Sequence, residues 1–121
     1  MTQALKQHTL QLDSGDSDGT DYEWITGGSA SNVRNVIEAA VIANHDAVTQ
    51  TITISIKDTS GTAVFTIDYS IEAGDSAIIA ELIGQVLEGD ASIPEKVYIA
   101  FDTALGGTDT IDCRASSVEI T

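Results

Sequence analysis

The fold class is decided by residues 49–57, TQTITISIK, in which isoleucine occupies every second position from Ile52 to Ile56. Threonine, serine and lysine fill the other positions, and this period of two is typical of a β-strand with one buried face. A DTSG turn at 58–61 follows, and apolar residues again recur at every second position from 63 to 71. The two segments predict an antiparallel β-hairpin.

Further strands are predicted on both sides of this hairpin, separated by turns rich in Gly and Asp. They lie at 5–12, 22–26, 33–43, 76–83, 96–101 and 110–120, the last with a kink near 116–117. Two segments, 33–41 and 78–87, also carry apolar residues at helical spacing, and the strand interpretation is preferred for both. Because turns recur about every 8–12 residues, we predict an all-β protein, an antiparallel two-sheet β-sandwich or jelly roll of about eight strands.

A chain of 121 residues has room for a single domain. We expect the β-sandwich domain to span 22–121 and to be preceded, at 1–21, by an N-terminal arm and an acidic linker. The Gly27-Gly28-Ser29 sequence lacks the pattern of a phosphate-binding loop and is interpreted as a hinge.

The net charge is −14, from 19 acidic and 5 basic residues. Such a chain repels phosphates, so direct nucleic-acid binding is not expected. No apolar run approaches the roughly 20 residues that cross a bilayer, and the first residues lack the pattern of a Sec signal peptide. We therefore expect synthesis in a cytoplasm and no membrane partner, with the acids keeping a β-rich chain soluble.

The sequence carries no residue pattern typical of an enzyme. His8 falls in an N-terminal strand and His45 in a turn, and neither lies in a motif with a nucleophile. The single cysteine, Cys113, excludes an intrachain disulfide and is interpreted as a small buried side chain. We predict that the protein is not an enzyme and has no catalytic or cofactor-binding residues.

Acidic residues are concentrated in the predicted linker, which has the sequence DSGDSDGTD at 13–21 and is followed by Glu23. Calcium is bound by oxygen ligands from loops of this kind, and DSDG at 16–19 resembles part of an EF-hand loop. When Gly19 is aligned with the invariant glycine of that loop, Ile25 occupies the position of a bidentate glutamate. A solvated linker without metal or cofactor is therefore preferred, and a Ca²⁺ site is the alternative.

The order of strands and turns from Val36 onward resembles that of a known family. VIANHD at 41–46 ends one strand, EAGDSAI at 72–78 and LEGD at 87–90 supply turns, and SVEIT ends the chain. This order is similar to that of the small β-sandwich virion structural proteins of tailed bacteriophages, including capsid decoration (cement) proteins. The resemblance covers about two-thirds of the chain.

The resemblance implies a non-enzymatic protein on the outer capsid surface of a virion, where copies, often trimers, bridge neighbouring major capsid proteins and stabilise the head. The N-terminal arm would pair with a neighbour's sheet edge, with Leu5, Leu10 and Leu12 as its apolar contacts. Deletion of the residues before Asp21 would then abolish capsid binding and leave the domain folded.

Tyr22 and Trp24 share one face of a predicted strand, where they are either core residues or a second contact patch. As exposed residues they would suit the alternative function, a tail-fibre or receptor-binding module that binds glycans. Two further classes stay open: an accessory domain of a cell-surface assembly, and a DNA mimic whose acids line one strip of surface.

Overall fold

A computed structural model describes residues 2–121. Over this range the chain forms nine strands and one 3₁₀ turn: β1 (Gln3–Leu12), β2 (Tyr22–Thr26), β3 (Arg34–Asn44), β4 (Gln50–Lys57), β5 (Ala63–Ile71), β6 (Ser76–Ile78), the 3₁₀ turn (Ala80–Leu82), β7 (Val86–Glu88), β8 (Lys96–Phe101) and β9 (Ile111–Ile120). Sheet A has the order β1-β9-β3-β6, with β7 also paired to β3, and sheet B has the order β2-β8-β4-β5. All pairings are antiparallel and the sheets pack face to face, so the predicted all-β sandwich is confirmed.

The core lies between the two sheets and is dominated by isoleucine. The predicted hairpin is present as β4 and β5, with Ile54 opposite Ile67, and β8 pairs with the other edge of β4. Burial of each such side chain contributes about 1.5–3 kcal/mol. The largest fully buried side chains come from the strands of both sheets and from the turn that follows β6: Leu12, Ile25, Ile37, Ile42, Ile52, Ile54, Ile79, Leu82, Leu87, Ile99, Phe101 and Ile111.

The ambiguous segment at 33–41 lies in a strand, as preferred, because β3 pairs with β9 along its length. Glu38 is the extra residue of a β-bulge, since Ile37 lies opposite Ser117 and Ala39 lies opposite Ser116. The irregularity is therefore in β3, whereas the sequence predicted a kink in β9. The pairing of β9 with β1 is continuous.

The predicted strand at 76–83 is wrong in its second half. Only Ser76–Ile78 pairs with β3, and the 3₁₀ turn Ala80–Leu82 follows. Ile79 and Leu82 are both fully buried, and a separation of three residues places two side chains on one side of a 3₁₀ turn but on opposite faces of a strand. Burial of both residues therefore favours the turn.

The predicted N-terminal arm is mostly an edge strand of the chain's own sheet. β1 pairs with β9 over ten residues, from Gln3 opposite Ile120 to Leu12 opposite Ile111, and Leu12 is a core residue. Deletion of this segment would expose β9 and remove a core side chain, contrary to the expectation that the domain folds without it. The boundary at residue 21 stays a prediction, and Met1 lies outside the described residues.

Two glycines allow loops to cross at short distance. A Cβ on Gly28 would lie 2.2 Å from Cγ1 of Val33, and a Cβ on Gly89 would lie 2.2 Å from the carbonyl oxygen of Ala30 and 2.5 Å from that of Val33. Because Gly28 is buried in this packed crossing, the hinge interpretation of residues 27–29 is wrong. Gly89 is required for close approach of backbone, not for the positive φ of a turn.

The chain passes from sheet A to sheet B between β3 and β4, and a buried side-chain network holds this crossing. Asn44 Nδ2 donates to the carbonyl oxygens of Val48 (3.0 Å) and Ile71 (2.8 Å), and its Oδ1 accepts from the backbone N–H of Asp46 (2.9 Å). Gln50 Nε2 donates to Asp46 Oδ2 at 2.8 Å. Asn44 and Gln50 are both fully buried, so the loop between the sheets depends on hydrogen bonds that water cannot replace.

We expect Asn44→Asp to lower the free energy of unfolding by about 3 kcal/mol or more, because a carboxylate cannot donate to the Val48 and Ile71 carbonyls and would itself be buried as a charge. Urea unfolding followed by circular dichroism measures the change. His45→Ala, at the exposed neighbouring position, is the control and should cost less than about 1 kcal/mol. A loss below 1 kcal/mol for Asn44→Asp would contradict the role of the network.

Gly89→Ala should also destabilise the fold by about 3 kcal/mol or more, since two backbone oxygens would have to move by more than half an ångström. Gly106→Ala is the matched control, because a Cβ there meets nothing within 4 Å. Thermal unfolding of both variants should show a large loss for Gly89→Ala and almost none for Gly106→Ala. Equal melting temperatures would show that the crossing is not tightly packed.

Candidate interaction surface

The outer face of sheet A carries an apolar row that crosses four strands. Leu5 lies opposite Val118, Val118 lies opposite Val36, and Val36 lies opposite Val86. Directly opposed side chains on one face have Cβ atoms about 4.5–5.5 Å apart, so the four residues form a continuous stripe. Leu5 is 63% exposed and Val86 is 43% exposed, at the two ends of the stripe.

A second row crosses the same face closer to the other end of the sheet. It joins Thr9, Arg114, Val41 and Ile78 through their pairing positions, and Ile78 is 67% exposed. Small side chains lie between the two rows and leave a shallow hollow of about 200 Å³, bounded by Gln7, Ala39, Val41, Arg114, Ala115 and Ser116. A second hollow of about 320 Å³ lies on the other side of Arg114, bounded by Thr9, Leu10, Gln11, Asp112, Cys113 and Arg114.

The charges on this face nearly balance. Arg34 pairs with Glu88, with Nε 3.1 Å from Oε2. Arg114 has no ion-pair partner among residues 2–121, and Asp112 lies two positions away on the same face of β9. Even when exposed Glu38 of the bulge is counted, the face holds two bases and three acids. The other 16 acids and 3 bases of the chain lie elsewhere.

The outer face of sheet B differs because it is polar. Lys57 Nζ lies 3.1 Å from Asp21 Oδ2 and 4.5 Å from the centre of the Tyr98 ring, and Lys96 Nζ lies 2.7 Å from Glu23 Oε1. Hydroxyl side chains fill much of the remainder: Thr51, Thr53, Ser55, Thr66 and Ser70. Of the two outer faces, that of sheet A therefore has more of the character of a protein contact surface.

Sequence reasoning found Leu5 of this surface but missed the valines and Arg114. The signal was present in segment 33–41, whose apolar residues fit helical as well as strand spacing. In the structure this double pattern has a simple cause, because β3 is apolar on both faces: Ile37 and Ile42 point to the core, and Val36 and Val41 to the outside.

The other residues predicted to bind a partner lie elsewhere. Leu12 and Trp24 are core residues, the latter only 4% exposed, and Leu10 and Tyr22 are partly buried against the core. A partner would reach Leu12 or Trp24 only if β1 or β2 left its sheet. Of the five residues, Leu5 alone presents a largely exposed apolar side chain, and its contact with a partner stays a prediction.

The acidic segment at 13–21 is folded onto the domain. Asp13 Oδ1 accepts from the N–H of Gly15, and Asp16 Oδ2 accepts from the N–H of Asp13, each at 2.9 Å. The N–H of Ser17 donates to the Tyr22 hydroxyl at 2.7 Å. Among the residues with described positions, no group of three or more His, Cys, Asp or Glu side chains is arranged as a metal site. Calcium binding here stays an untested alternative.

A serine, a histidine and an asparagine meet beneath β1. Ser117 Oγ donates to Asn35 Oδ1 at 2.9 Å and lies 2.8 Å from His8 Nε2. Because the single hydroxyl proton of Ser117 is used on Asn35, the imidazole must be the donor to Oγ. A catalytic serine requires the opposite direction, with the hydroxyl donating to the imidazole, and Ser117 is also fully buried. The arrangement is therefore a buried polar network and not a nucleophile with its base.

The predicted small buried side chain at Cys113 is present. The thiol lies in β9 against the core, and burial raises its pKa, so the reactive thiolate is strongly disfavoured.

The network under β1 makes stability depend on pH. Burial lowers the pKa of His8 from its ordinary value of 6.5, and the positive charge of Lys6 lowers it further. The unfolded chain therefore takes up this proton at a higher pH than the folded chain does, so the stability from His8 is present above pH 6.5 and is lost as the pH falls through the lowered pKa. We expect the melting temperature of the native chain to fall between pH 7 and pH 5, and that of His8→Gln to fall less. Identical pH profiles would contradict this assignment.

No protein-family model matches the chain, and no curated protein matches it. Several solved structures do match. One is a protein of Bacillus endospore appendages, which form a family of disulfide-linked pili. It is 16% identical to this chain, with a TM-score of 0.51, and the match covers 99% of this chain and 88% of the appendage protein. Two structures of infectious bursal disease virus also match, the Gx strain (15% identity, TM-score 0.48, 98% of this chain) and the T13 particle (15%, 0.45, 97%). The chain spans about a third of those viral chains, 33% and 30%. At these identities, the likeness to the appendage protein shows a shared β-sandwich fold.

Proposed function

We propose that the protein is a non-enzymatic structural subunit of a bacteriophage virion, a decoration protein on the outer capsid surface that bridges major capsid proteins and stabilises the head. The observation that carries the proposal is the outer face of sheet A, which has an exposed apolar row and nearly balanced charges on a domain of net charge −14. A rigid sandwich with one such face suits a subunit held in a larger assembly.

Other features of the structure support the same function. The two hollows on the outer face of sheet A are shallow. His8 and Ser117 come nearest to a catalytic pair, but the imidazole donates its hydrogen bond to the hydroxyl instead of accepting one from it. The acids outside the face keep the subunit soluble before assembly and oppose edge-to-edge pairing. The similar Bacillus appendage protein is itself described as part of a pilus, which is consistent with a building-block role.

The receptor-binding alternative has less support. It depended on Tyr22 and Trp24 as an exposed aromatic platform for a glycan, and Trp24 is buried in the core. Sheet B offers Tyr98 on its outer face, but Lys57 lies over that ring. The tail-fibre function therefore lacks an exposed aromatic pair in the part of the chain that the structure describes.

The proposal is tested on particles purified from a lysate of the host that carries the gene. We expect peptides of this chain to co-purify with the major capsid protein through a density gradient and a high-salt wash. Particles made without the gene should release their DNA at a temperature several degrees lower, because each bound copy stabilises the shell by mass action. Added purified protein should restore the original temperature. Absence of the chain from washed particles would overturn the proposal.

A further inference from the structure

We propose that the free edge of β1 is a docking site for an extended segment of a partner protein. The segment would add a strand to sheet A, with an acidic residue beside Arg114 and an apolar residue beside Leu5. The inference deepens the proposed function and rests on it for the existence of a partner, but it is tested with the purified chain and synthetic peptides.

One side of β1 leaves its backbone groups unpaired. The strand lies at the end of sheet A and pairs with β9 alone, and among residues 2–121 its outward N–H and C=O groups have no hydrogen-bond partner. Ten residues in continuous register with β9, without proline or a bulge, make a long and regular edge. Such an edge is a template for strand addition, in which the two main chains supply the hydrogen bonds.

Charge decides which kind of strand fits this edge. β1 contains no acidic residue, and Lys6 is its one charged side chain at neutral pH. A second β1 on the same edge would bring two copies of Lys6 and Arg114 together, and each whole copy of the chain also brings a net charge of −14. A short segment of a different protein with its own acidic residue meets neither repulsion, and it is attracted to the bases beside the edge.

Arg114 is placed to bind that acidic residue. It is exposed, lies opposite Thr9, and has no ion-pair partner among residues 2–121. Asp112, two positions away on the same face, already contacts His45 Nε2 at 3.1 Å and Gln11 Nε2 at 2.8 Å. Because neighbouring strands lie about 4.8 Å apart, the arginine side chain has only the small Thr9 to cross before it reaches a strand added to β1.

The edge also sets the spacing of the segment that it recognises. The hollow of about 320 Å³ beside Arg114 is bounded on the edge side by Thr9, Leu10 and Gln11, and it has room for a side chain of the added strand. Leu5 lies four residues before Thr9 on the same outer face and is 63% exposed. In an antiparallel pair, a strand with its acidic residue opposite Thr9 therefore places its fourth following residue opposite Leu5. The pattern is an acidic residue followed four positions later by an apolar one.

The test is an NMR titration of the purified ¹⁵N-labelled chain with a capped nine-residue peptide of serine and threonine that carries glutamate at its third position and isoleucine at its seventh. We expect saturable shifts of the β1 amides at about 1 mM peptide, and slower hydrogen exchange of the outward N–H groups of β1. Replacement of the glutamate by lysine should weaken binding about fivefold or more, because an ion pair is exchanged for a like-charge contact.

Arg114→Gln should weaken binding of the glutamate peptide about fivefold and leave binding of the same peptide with glutamine unchanged. Arg34→Gln is the matched control, because it removes the same charge from the same face at a residue that pairs with Glu88, and binding should stay within about twofold. Unshifted β1 amides, shifts centred on another strand, equal binding of the glutamate and lysine peptides, or self-association of the free chain through β1 would overturn the inference. Failure of the proposed function is seen separately, as absence of the chain from washed particles, and the peptide result does not alter it.

Discussion

The amide of Asn44 is the group on which the relation of the two sheets depends. Asn44 is the last residue of β3 in sheet A. Its amide donates to the carbonyl oxygen of Ile71 at the end of β5 in sheet B and accepts from the backbone N–H of Asp46 in the loop. Gln50 continues the network by exchanging hydrogen bonds with the backbone of Thr103, beyond β8. These buried bonds fix how far one sheet is displaced along the other, because any slip would leave several polar groups without partners.

This fixed relation decides which side chains face the core and which face solvent. The inner faces are filled by isoleucine, leucine and phenylalanine, so neither sheet can shift register without exposing them. The outer faces then differ. Sheet B has threonines and paired lysines, whereas sheet A has valines and an Arg114 without an ion-pair partner in the described range. A domain with two chemically different outer faces has one that suits solvent and one that suits a protein.

The sequence predicted much of this fold and little of its surface. Strict alternation in β4, β5 and β8 predicts strands with one buried face, and all three are present. Segment 76–83 was mispredicted because Ile78 and Ile79 are both apolar, and only packing shows that one is exposed and the other buried. The sequence predicts an arm and a linker before Tyr22, because its pattern does not show which strand this segment pairs with. In the structure β9 pairs with β3 on one side and with β1 on the other.

The sequence alone determined the fold class, the acidic surface and the absence of an intrachain disulfide, because these follow from local periodicity, composition and a single cysteine. The tertiary structure decided which apolar residues lie in the core and which lie on the outer face of sheet A. It also placed Leu5, Val118, Val36 and Val86, which are distant in the sequence, in one row across four strands. The physical reason is strand pairing: alternation assigns a residue to one face of its own strand, but only the order and register of the strands decide which residues become its neighbours.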